Sequence, residues 1–256
     1  MRTCVRMTRP STAVRECVEL AAEGHAALQI SRLTGIPRST VRDWLAGDAP
    51  RRILGPRPGG CPRCGGRAHR YSELPDDYAY LLGVYLGDGC LSLHPRGVYK
   101  LRLALDAAYP GIAVEAAFAV SAVMSTSRVN RRLTLSNNFE VYSYSKAWPC
   151  LLPQHGPGRK HLRPIELERW QDDVVKRVPH LLLRGLIHSD GCRFMNTGRR
   201  WRHPRYVFCN FSSDIRRIFC DACDQMDLHW TSSKKVIYVS RKRDVAILDH
   251  FIGPKA

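Results

Sequence analysis

The sequence is short of acidic residues. Its 256 residues include 23 Asp and Glu against 40 Lys and Arg, which gives a formal net charge of +17 at pH 7. A protein with this excess of positive charge is expected to bind a polyanion such as a nucleic acid. The excess is uneven along the chain, because residues 1–70 hold 13 basic and 5 acidic residues and therefore carry about half of it.

Long apolar runs are also missing. No stretch reaches the roughly 18 uncharged apolar residues of a membrane span, and the most apolar segment, residues 111–124, contains Glu115. The first residues lack the apolar core of a secretory signal, so we expect a cytoplasmic protein. Its ten cysteines are then expected to be reduced thiols or metal ligands rather than disulfides. Cys220 and Cys223, in a predicted helix, are expected to be small buried residues.

Residues 12–46 have the apolar spacing of three short helices, with a turn at Gly35. The predicted apolar positions are Val14, Val18, Ala21, Ile30, Leu33, Val41, Trp44 and Leu45. The segment from Ile30 to Leu45 resembles the helix-turn-helix families of bacteria, whose third helix enters the major groove. The resemblance assigns four residues to DNA: Arg38, Ser39, Thr40 and Arg42. The alternative is a small helical bundle with a solvated basic face.

Residues 47–60 are rich in Gly, Pro and Arg and predict a linker. Cys61 and Cys64 follow, and His69 lies five residues further along. Two cysteines at this spacing are typical of a turn that presents thiolates to zinc, although a tetrahedral site needs two more ligands. Zinc at Cys61 and Cys64 therefore remains one interpretation, and a pair of ordinary thiols remains the other.

Two later segments of the chain are similar and lie 102 residues apart. Residues 80–90 read YLLGVYLGDGC, and residues 182–192 read LLRGLIHSDGC. Each is followed by two predicted strands, a helix, two more strands and a closing helix, with the middle helices predicted at about 110–125 and 214–226. The pattern indicates a duplicated domain.

Small residues recur four positions apart in both segments. They are Gly83 and Gly87 in the first segment, and Gly185 and Ser189 in the second. On a helix they share one face, so two such helices can pack with their backbones close together. Each predicted helix ends at an acid followed by glycine, so Asp88 and Asp190 are expected side by side. Their mutual repulsion would favour a divalent cation.

With these features, residues 76–252 resemble the LAGLIDADG (DOD-type) homing endonucleases in the single-chain form with two motifs. The resemblance implies an α+β fold, a duplicated αββαββα domain, here preceded by a small all-α helix-turn-helix domain. It implies Mg²⁺-dependent cleavage of double-stranded DNA, with Asp88 and Asp190 as catalytic metal ligands, one for each strand. Gly87 and Ser189 are implied as further residues of the magnesium site. The expected domains are residues 1–47, a linker with the zinc candidate at 48–75, and the endonuclease-like domain at 76–256.

The predicted strands carry basic residues on one face. Lys100 and Arg102 alternate with Leu101, Leu103 and Leu105, so one face packs and the other can face DNA. Further predicted DNA-binding residues are Arg131, Arg132, Arg199, Arg200, Arg202, Lys234 and Lys235. Arg132 and Lys234 also lie 102 residues apart and are candidates to support the metal site. Contact with phosphate, or a solvated surface, is the expected role of any one of these residues.

Two functions fit the sequence. The first is a metal-dependent double-strand DNA endonuclease, and the second is a transcriptional regulator that binds DNA on the same scaffold without cutting it. The retained pair of acids favours the nuclease. Because one chain contains both repeats, we expect a monomer on an asymmetric target. His188, within the second motif, is expected to fill a gap between helices and is not assigned to catalysis.

Overall fold

The computed structural model describes residues 11–48, 60–198, 202–253 and 255. The chain divides into two compact units, residues 1–68 and 69–256, and each has a hydrophobic core of its own. The first unit therefore includes most of the predicted linker. None of the described helices combines the length and apolar character that crossing a membrane requires.

The first unit contains helices α1 (Ser11–Ala22), α2 (Ala27–Thr34) and α3 (Arg38–Asp43). Gly35 ends α2 with φ +67°, a conformation that glycine adopts without strain. The core consists of Val14, Cys17, Ile30, Ile36, Val41 and Trp44. The prediction that Val18, Leu33 and Leu45 are core residues is wrong, since all three are exposed. Helix α1 instead faces the core with Val14 and Cys17, and the turn after Gly35 directs Ile36 inward.

The second unit consists of two αββαββα repeats, which confirms the predicted α+β fold class. The first repeat contains α4 (Asp77–Asp88), β1 (Gly89–His94), β2 (Val98–Asp106), α5 (Pro110–Val123), β3 (Val129–Leu133), β4 (Asn138–Ser145) and α6 (Trp148–Leu151). Helix α7 (Arg169–Arg177) precedes the second repeat. That repeat contains α8 (Pro179–Asp190), β5 (Gly191–Thr197), β6 (Arg202–Cys209), α9 (Ser213–Gln225), β7 (Trp230–Ser233), β8 (Val236–Val239) and α10 (Lys242–Ile252).

Each repeat forms a four-stranded antiparallel sheet, with strand order β1-β2-β4-β3 in the first and β5-β6-β8-β7 in the second. The helices cover one face of each sheet. Leu101, Leu103 and Leu105 are buried on this face of β2, so the predicted alternation is confirmed. Cys220 and Cys223 are buried in α9, also as predicted.

Candidate functional site

Helices α4 and α8 pack with their backbones in contact. A Cβ atom added to Gly83 would lie 2.6 Å from the carbonyl oxygen of Leu182 and 2.8 Å from the amide nitrogen of Leu186. A Cβ atom added to Gly185 would overlap the carbonyl oxygen of Tyr80. Side chains larger than hydrogen do not fit at these two positions, so the small residues seen in the sequence are required by the approach of the two helices.

This packing brings the two acids of the repeated motif together. Asp88 and Asp190 are the last residues of α4 and α8, and both line one cavity of about 470 Å³. Beside them, a Cβ atom on Gly87 would overlap Ser189 and would lie 2.9 Å from Asp190 Oδ2. The Ser189 hydroxyl donates to carbonyl oxygens of its own helix. The four residues that the resemblance implies for the magnesium site therefore lie in one place.

Neither acid is easily ionised in this setting. Burial, followed by repulsion from Asp190, raises the pKa of Asp88 to about 7. Burial also raises the pKa of Asp190, and a hydrogen bond from Asn210 Nδ2 to Asp190 Oδ2, at 2.6 Å, opposes that increase. Two adjacent carboxylates whose charged forms are disfavoured form a site that a cation would stabilise.

Lys160, which the sequence did not single out, lies at the end of α4. Its ammonium group donates to the carbonyl oxygens of Tyr85, Leu86 at 2.9 Å and Gly87 at 3.2 Å. Burial lowers the pKa of Lys160 to about 8, while the two acids favour its charged form. The lysine therefore satisfies helix-end carbonyls and places a positive charge beside the acids.

Lys255 approaches the acids through the second repeat. Its ammonium group donates to the carbonyl oxygen of Gly191 and lies 5.7 Å from the centre of the Tyr109 ring. Burial lowers the pKa of Lys255, and the carboxylates of the site oppose this change. The acid pair therefore has two lysines as neighbours, and neither belongs to the predicted set of basic residues.

The donor set suits a hard divalent cation. Asp88 and Asp190 supply two carboxylates, and Gly87, which has no side chain, can supply only its carbonyl oxygen. In the described part of the chain, no third His, Cys, Asp or Glu joins the two acids in a cluster of metal-ligand atoms. Mg²⁺ is typically bound by one or two carboxylates together with water and substrate phosphates. The residues present therefore fit an ion whose remaining ligands come from water or from a phosphate group.

The two cations proposed from their equal spacing do not support this site. Arg132 is paired with Glu140, with Nη2 at 2.6 Å from Oε2. Lys234 lies in the turn between β7 and β8, with φ +53°. Neither residue lines the cavity of the acids. Polar residues that do line it are Arg102, Lys160, His161 and Asn210.

The outer face of the first sheet carries a cluster of charges built on Glu140. The buried carboxylate accepts hydrogen bonds from Lys100 Nζ at 2.5 Å and Arg132 Nε at 2.7 Å. Burial alone would raise the pKa of Glu140, but these two bonds outweigh it and lower the pKa. Arg102 is exposed on the same face of β2. This face therefore presents three cations, two of which are held by one anion.

Arg131 does not belong to this face. It pairs with the buried Val141 in the register of β3 and β4, whereas Arg132 pairs with Glu140. Successive residues of a strand point to opposite faces, so Arg131 lies on the side of the helices. Its guanidinium lies 5.8 Å from the centre of the Phe139 ring. Arg131 and Arg132 therefore lie on opposite faces of the sheet, and their contact with DNA stays a prediction.

The outer face of the second sheet includes Arg205, which is not among the DNA-binding residues predicted from the sequence. Its neighbours Tyr206 and Phe208 mark the buried face of β6, and Arg205 lies opposite, with its guanidinium 5.1 Å from the centre of the Tyr238 ring. Alternation with the buried aromatic residues was the signal that could have identified it. Among the predicted residues of this repeat, Arg202 is exposed at the start of β6 and Lys235 Nζ lies 3.8 Å above the Phe211 ring. The predicted residues Arg199 and Arg200 lie outside the described residues.

His188 is a structural residue of the helix interface. Tyr80 donates its hydroxyl hydrogen to Nδ1 at 3.0 Å, and Nε2 donates to the carbonyl oxygen of Ile252 at 3.2 Å. Burial lowers the pKa of His188 to about 4, so the imidazole is neutral near pH 7. The histidine fills the gap between helices, as expected, and takes no part in the cavity of the acids.

Cys61 and Cys64 lie in a tight turn in the first unit. A β-bridge between Gly60 and Arg67 closes the turn, and the Gly66 amide donates to Cys64 Sγ at 3.4 Å. The sulfur atoms of the two cysteines lie within 4.8 Å of each other.

The second unit also contains two residues with metal-ligand atoms. A ring nitrogen of His69 and the sulfur of Cys150 lie within 4.8 Å of each other. Burial lowers the pKa of His69, which keeps the imidazole in the neutral form that binds metals. Nitrogen and sulfur are the ligand atoms that zinc prefers.

Comparisons with known proteins gave structural matches. No protein-family model matches the sequence, and no curated protein matches it. Mesophilic variants of the homing endonuclease I-DmoI match at 14% identity over 70% of this chain and 96% of theirs, with a TM-score of 0.45. The homing endonuclease I-WcaI bound to its DNA recognition sequence matches at 12% identity over 71% of this chain and 83% of its own, with a TM-score of 0.46. The N-terminal LAGLIDADG domain of DUF199/WhiA matches at 14% identity over 73% and 83%, with a TM-score of 0.42.

Proposed function

We propose that the chain is a divalent-metal-dependent endonuclease that cuts both strands of a DNA duplex. The proposal rests on one observation: Asp88 and Asp190 end two helices whose backbones are in contact, so two half-buried carboxylates share one cavity. A pair of acids at the centre of a strongly basic chain has no evident role in holding DNA, because it repels phosphate. It has a role if a cation joins the acids to the phosphate group that is cut.

The side chains divide into those that hold the ion and those that hold DNA. Asp88, Asp190 and the Gly87 carbonyl would bind Mg²⁺, which when bound activates water and stabilises the charge that develops on phosphorus. Arg102 and Arg205, on the outer faces of the two sheets, would contact backbone phosphates and position the duplex. Each repeat would thereby serve one half of the target.

The first unit is proposed as a second DNA-binding element. Arg38, Ser39 and Arg42 are exposed on α3, and Thr40 is partly exposed. Val41 and Trp44 are buried against the other helices. This division between an exposed polar face and a packed apolar face supports the use of α3 as a recognition helix.

The decisive experiment is a cleavage selection on randomised duplexes with Mg²⁺, run beside a binding selection in EDTA. We expect Asp88→Asn and Asp190→Asn to abolish cutting and to retain binding to the selected duplex. Asp227→Asn, at an exposed acid paired with Arg243, is the matched control and should cut normally. Cutting that survives both substitutions in the cavity would refute the assignment, and protection of the duplex without nicking in Mg²⁺ or Mn²⁺ would support the DNA-binding regulator.

The proposal includes a monomer as the active species. One chain supplies both acids and both basic sheet faces, so a second copy adds nothing that cutting needs. Sedimentation of the protein on its selected duplex should give one chain per duplex. Two chains per duplex, with cutting that depends on the square of protein concentration, would contradict this part of the proposal.

We also propose that Cys61 and Cys64 bind zinc, supported by their tight turn and by the amide hydrogen bond to Cys64. The purified full chain should contain one zinc ion, and Cys61→Ser or Cys64→Ser should lose it. Cys192→Ser, at an exposed cysteine, should retain it. Zinc that is absent from the wild type, or retained by Cys61→Ser, would contradict the proposal.

A further inference from the structure

Lys160 reaches the candidate metal site from a segment that belongs to neither repeat. It begins a short turn, Lys160–Leu162, in the connection between α6 and α7. Its Nζ atom lies 4.7 Å from the centre of the Tyr85 ring, and it donates to the carbonyl oxygens of Tyr85, Leu86 and Gly87. An ammonium group has three donors, so these three carbonyls use all of them.

The Gly87 carbonyl is the one backbone oxygen of that set that the metal also requires in the proposed function. It precedes Asp88, and its 3.2 Å bond to Lys160 places a positive charge on the side of the site that belongs to the first repeat. In the second repeat the bonded carbonyl is instead that of Gly191, which follows the acid and accepts from Lys255. The two halves of the site therefore differ in which backbone oxygen accepts a hydrogen bond from a lysine.

The charges around the cavity explain why a lysine is held here. The C-terminal end of a helix carries partial negative charge, and α4 and α8 both end at this point with a carboxylate. Lys160 lines the same cavity as Asp88 and Asp190. It offsets part of their charge, but it also repels any divalent ion that binds the same carboxylates.

We propose that Lys160 is a positioning residue that acts as the resident counter-ion of the acid pair. It offsets part of the charge of the two acids and satisfies carbonyl oxygens at the end of α4 when no divalent ion is present, and it lowers the affinity of the site for that ion. The inference rests on the proposed metal site for its bearing on DNA cleavage. Binding of the ion is expected to loosen the ammonium group from the helix carbonyls.

The test is Mn²⁺ binding to the full chain without DNA, measured by calorimetry. Lys160→Gln keeps N–H donors for the carbonyls and removes the charge, and we expect it to bind Mn²⁺ about tenfold more tightly than the wild type. Lys160→Arg keeps the charge and should stay within about twofold of the wild type. Asp88→Asn combined with Lys160→Gln should lose the gain. A folded Lys160→Gln variant with unchanged or weaker Mn²⁺ binding would overturn the inference.

A measurement on the wild type keeps the inference testable even if the neutral variant does not fold. Reductive methylation of Lys160, read by mass spectrometry, should increase severalfold when Mn²⁺ is added, because the ion displaces the ammonium group from Gly87. Lys255 and the exposed Lys242 are measured in the same spectra, and Lys242 should not change. Labelling of Lys160 that stays constant or decreases as the Mn²⁺ site fills would contradict the inference.

Failure of this inference and failure of the proposed function give different results. Tighter Mn²⁺ binding by Lys160→Gln without any DNA cleavage would refute the nuclease and retain the counter-ion. Cleavage by the wild type, together with no effect of Lys160→Gln on Mn²⁺ affinity, would refute the counter-ion and retain the nuclease.

Discussion

The folded protein disfavours the ionised form of Asp88, and this lowers the free energy of unfolding by a measurable amount. Its pKa is raised from 3.8 to about 7, so well below pH 3.8 both folded and unfolded chains are protonated there and the cost is zero. Stability is then lost as the pH rises from 4 to 7, because only the unfolded chain ionises freely. Above pH 7 the full cost is present in the metal-free protein.

Asp88→Asn should therefore stabilise the metal-free protein at pH 8. We expect a gain of about 1–3 kcal/mol in the free energy of unfolding, allowing for screening by solvent, and almost no gain at about pH 3. Denaturant titrations in EDTA at the two pH values measure it. Asp227→Asn, on the exposed surface, is the control and should change neither value by more than about 0.5 kcal/mol.

At the proposed metal site, the same pKa is expected to set the pH dependence of metal binding. A divalent ion must displace the proton of Asp88, so Mn²⁺ affinity should rise about tenfold per pH unit below pH 7 and level off above it. Calorimetric titrations between pH 5.5 and 8.5 test this, with Asp88→Asn as the variant that should lose the dependence. A flat profile in the wild type would show that Asp88 is already ionised at low pH.

At the residue scale, the sequence predicted that Asp88 and Asp190 lie side by side, and it did not predict that Lys160 and Asn210 contact their site. Asp88 and Asp190 could be found because they end a repeated motif. Lys160 contacts Gly87 across 73 residues of chain, and no spacing rule relates the two. Asn210 donates to Asp190, which lies 20 residues earlier in the chain, and no spacing rule relates these two residues either. Contacts made by tertiary folding leave no periodic trace in a sequence.

The pair of helices α4 and α8 depends on two glycines more than on any apolar side chain. Gly185→Ala should destabilise the protein by about 3 kcal/mol or more, since the added methyl group meets the backbone of α4 and cannot be relieved by a rotamer change. Thermal and denaturant unfolding measure the loss.

Gly111→Ala provides the matched control for this substitution. Gly111 is an exposed glycine near the start of α5, where alanine favours the helix. The Gly111→Ala substitution should leave the free energy of unfolding unchanged or raise it by up to about 1 kcal/mol. Equal destabilisation by the two substitutions would show that the contact between the helices is not what Gly185 provides.

The elements with strong periodicity were the ones that the sequence predicted well. The middle helices, expected at about 110–125 and 214–226, are observed at Pro110–Val123 and Ser213–Gln225. In the first unit the helices have only 12, 8 and 6 residues, and such short helices do not define which apolar residues face inward. The face of the sheet to which a strand residue points was also not predicted, since the neighbouring residues Arg131 and Arg132 lie on opposite faces.

For the molecule as a whole, the net charge of +17 should appear as salt-dependent DNA binding. Arg102→Ala should weaken binding to all duplexes and reduce the slope of log K against log salt by about 1. Arg193→Ala is the matched control, because Arg193 is paired with Asp249 at 2.7 Å on the side of the helices. Equal effects of the two substitutions would show that the outer sheet face does not bind DNA.

The duplication could be read from the sequence at this scale, because two motifs 102 residues apart are each followed by the same order of elements. Its asymmetry could not. The first closing helix, Trp148–Leu151, has one turn, whereas the second, Lys242–Ile252, has three. The connection after the short helix supplies Lys160. The part of the site that the sequence did not predict therefore comes from a segment that the second repeat does not share.

The direct contact of two glycine backbones has a consequence for how this fold can change over time. No side chain separates α4 from α8 at Gly83 and Gly185. The distance between the two helices is therefore set by contact between their backbones and does not depend on the size of a side chain. Under the proposed function, substitutions on the outer faces of the two sheets would change which DNA sequence is bound, by selection or by design, and would leave the distance between the two acids unchanged.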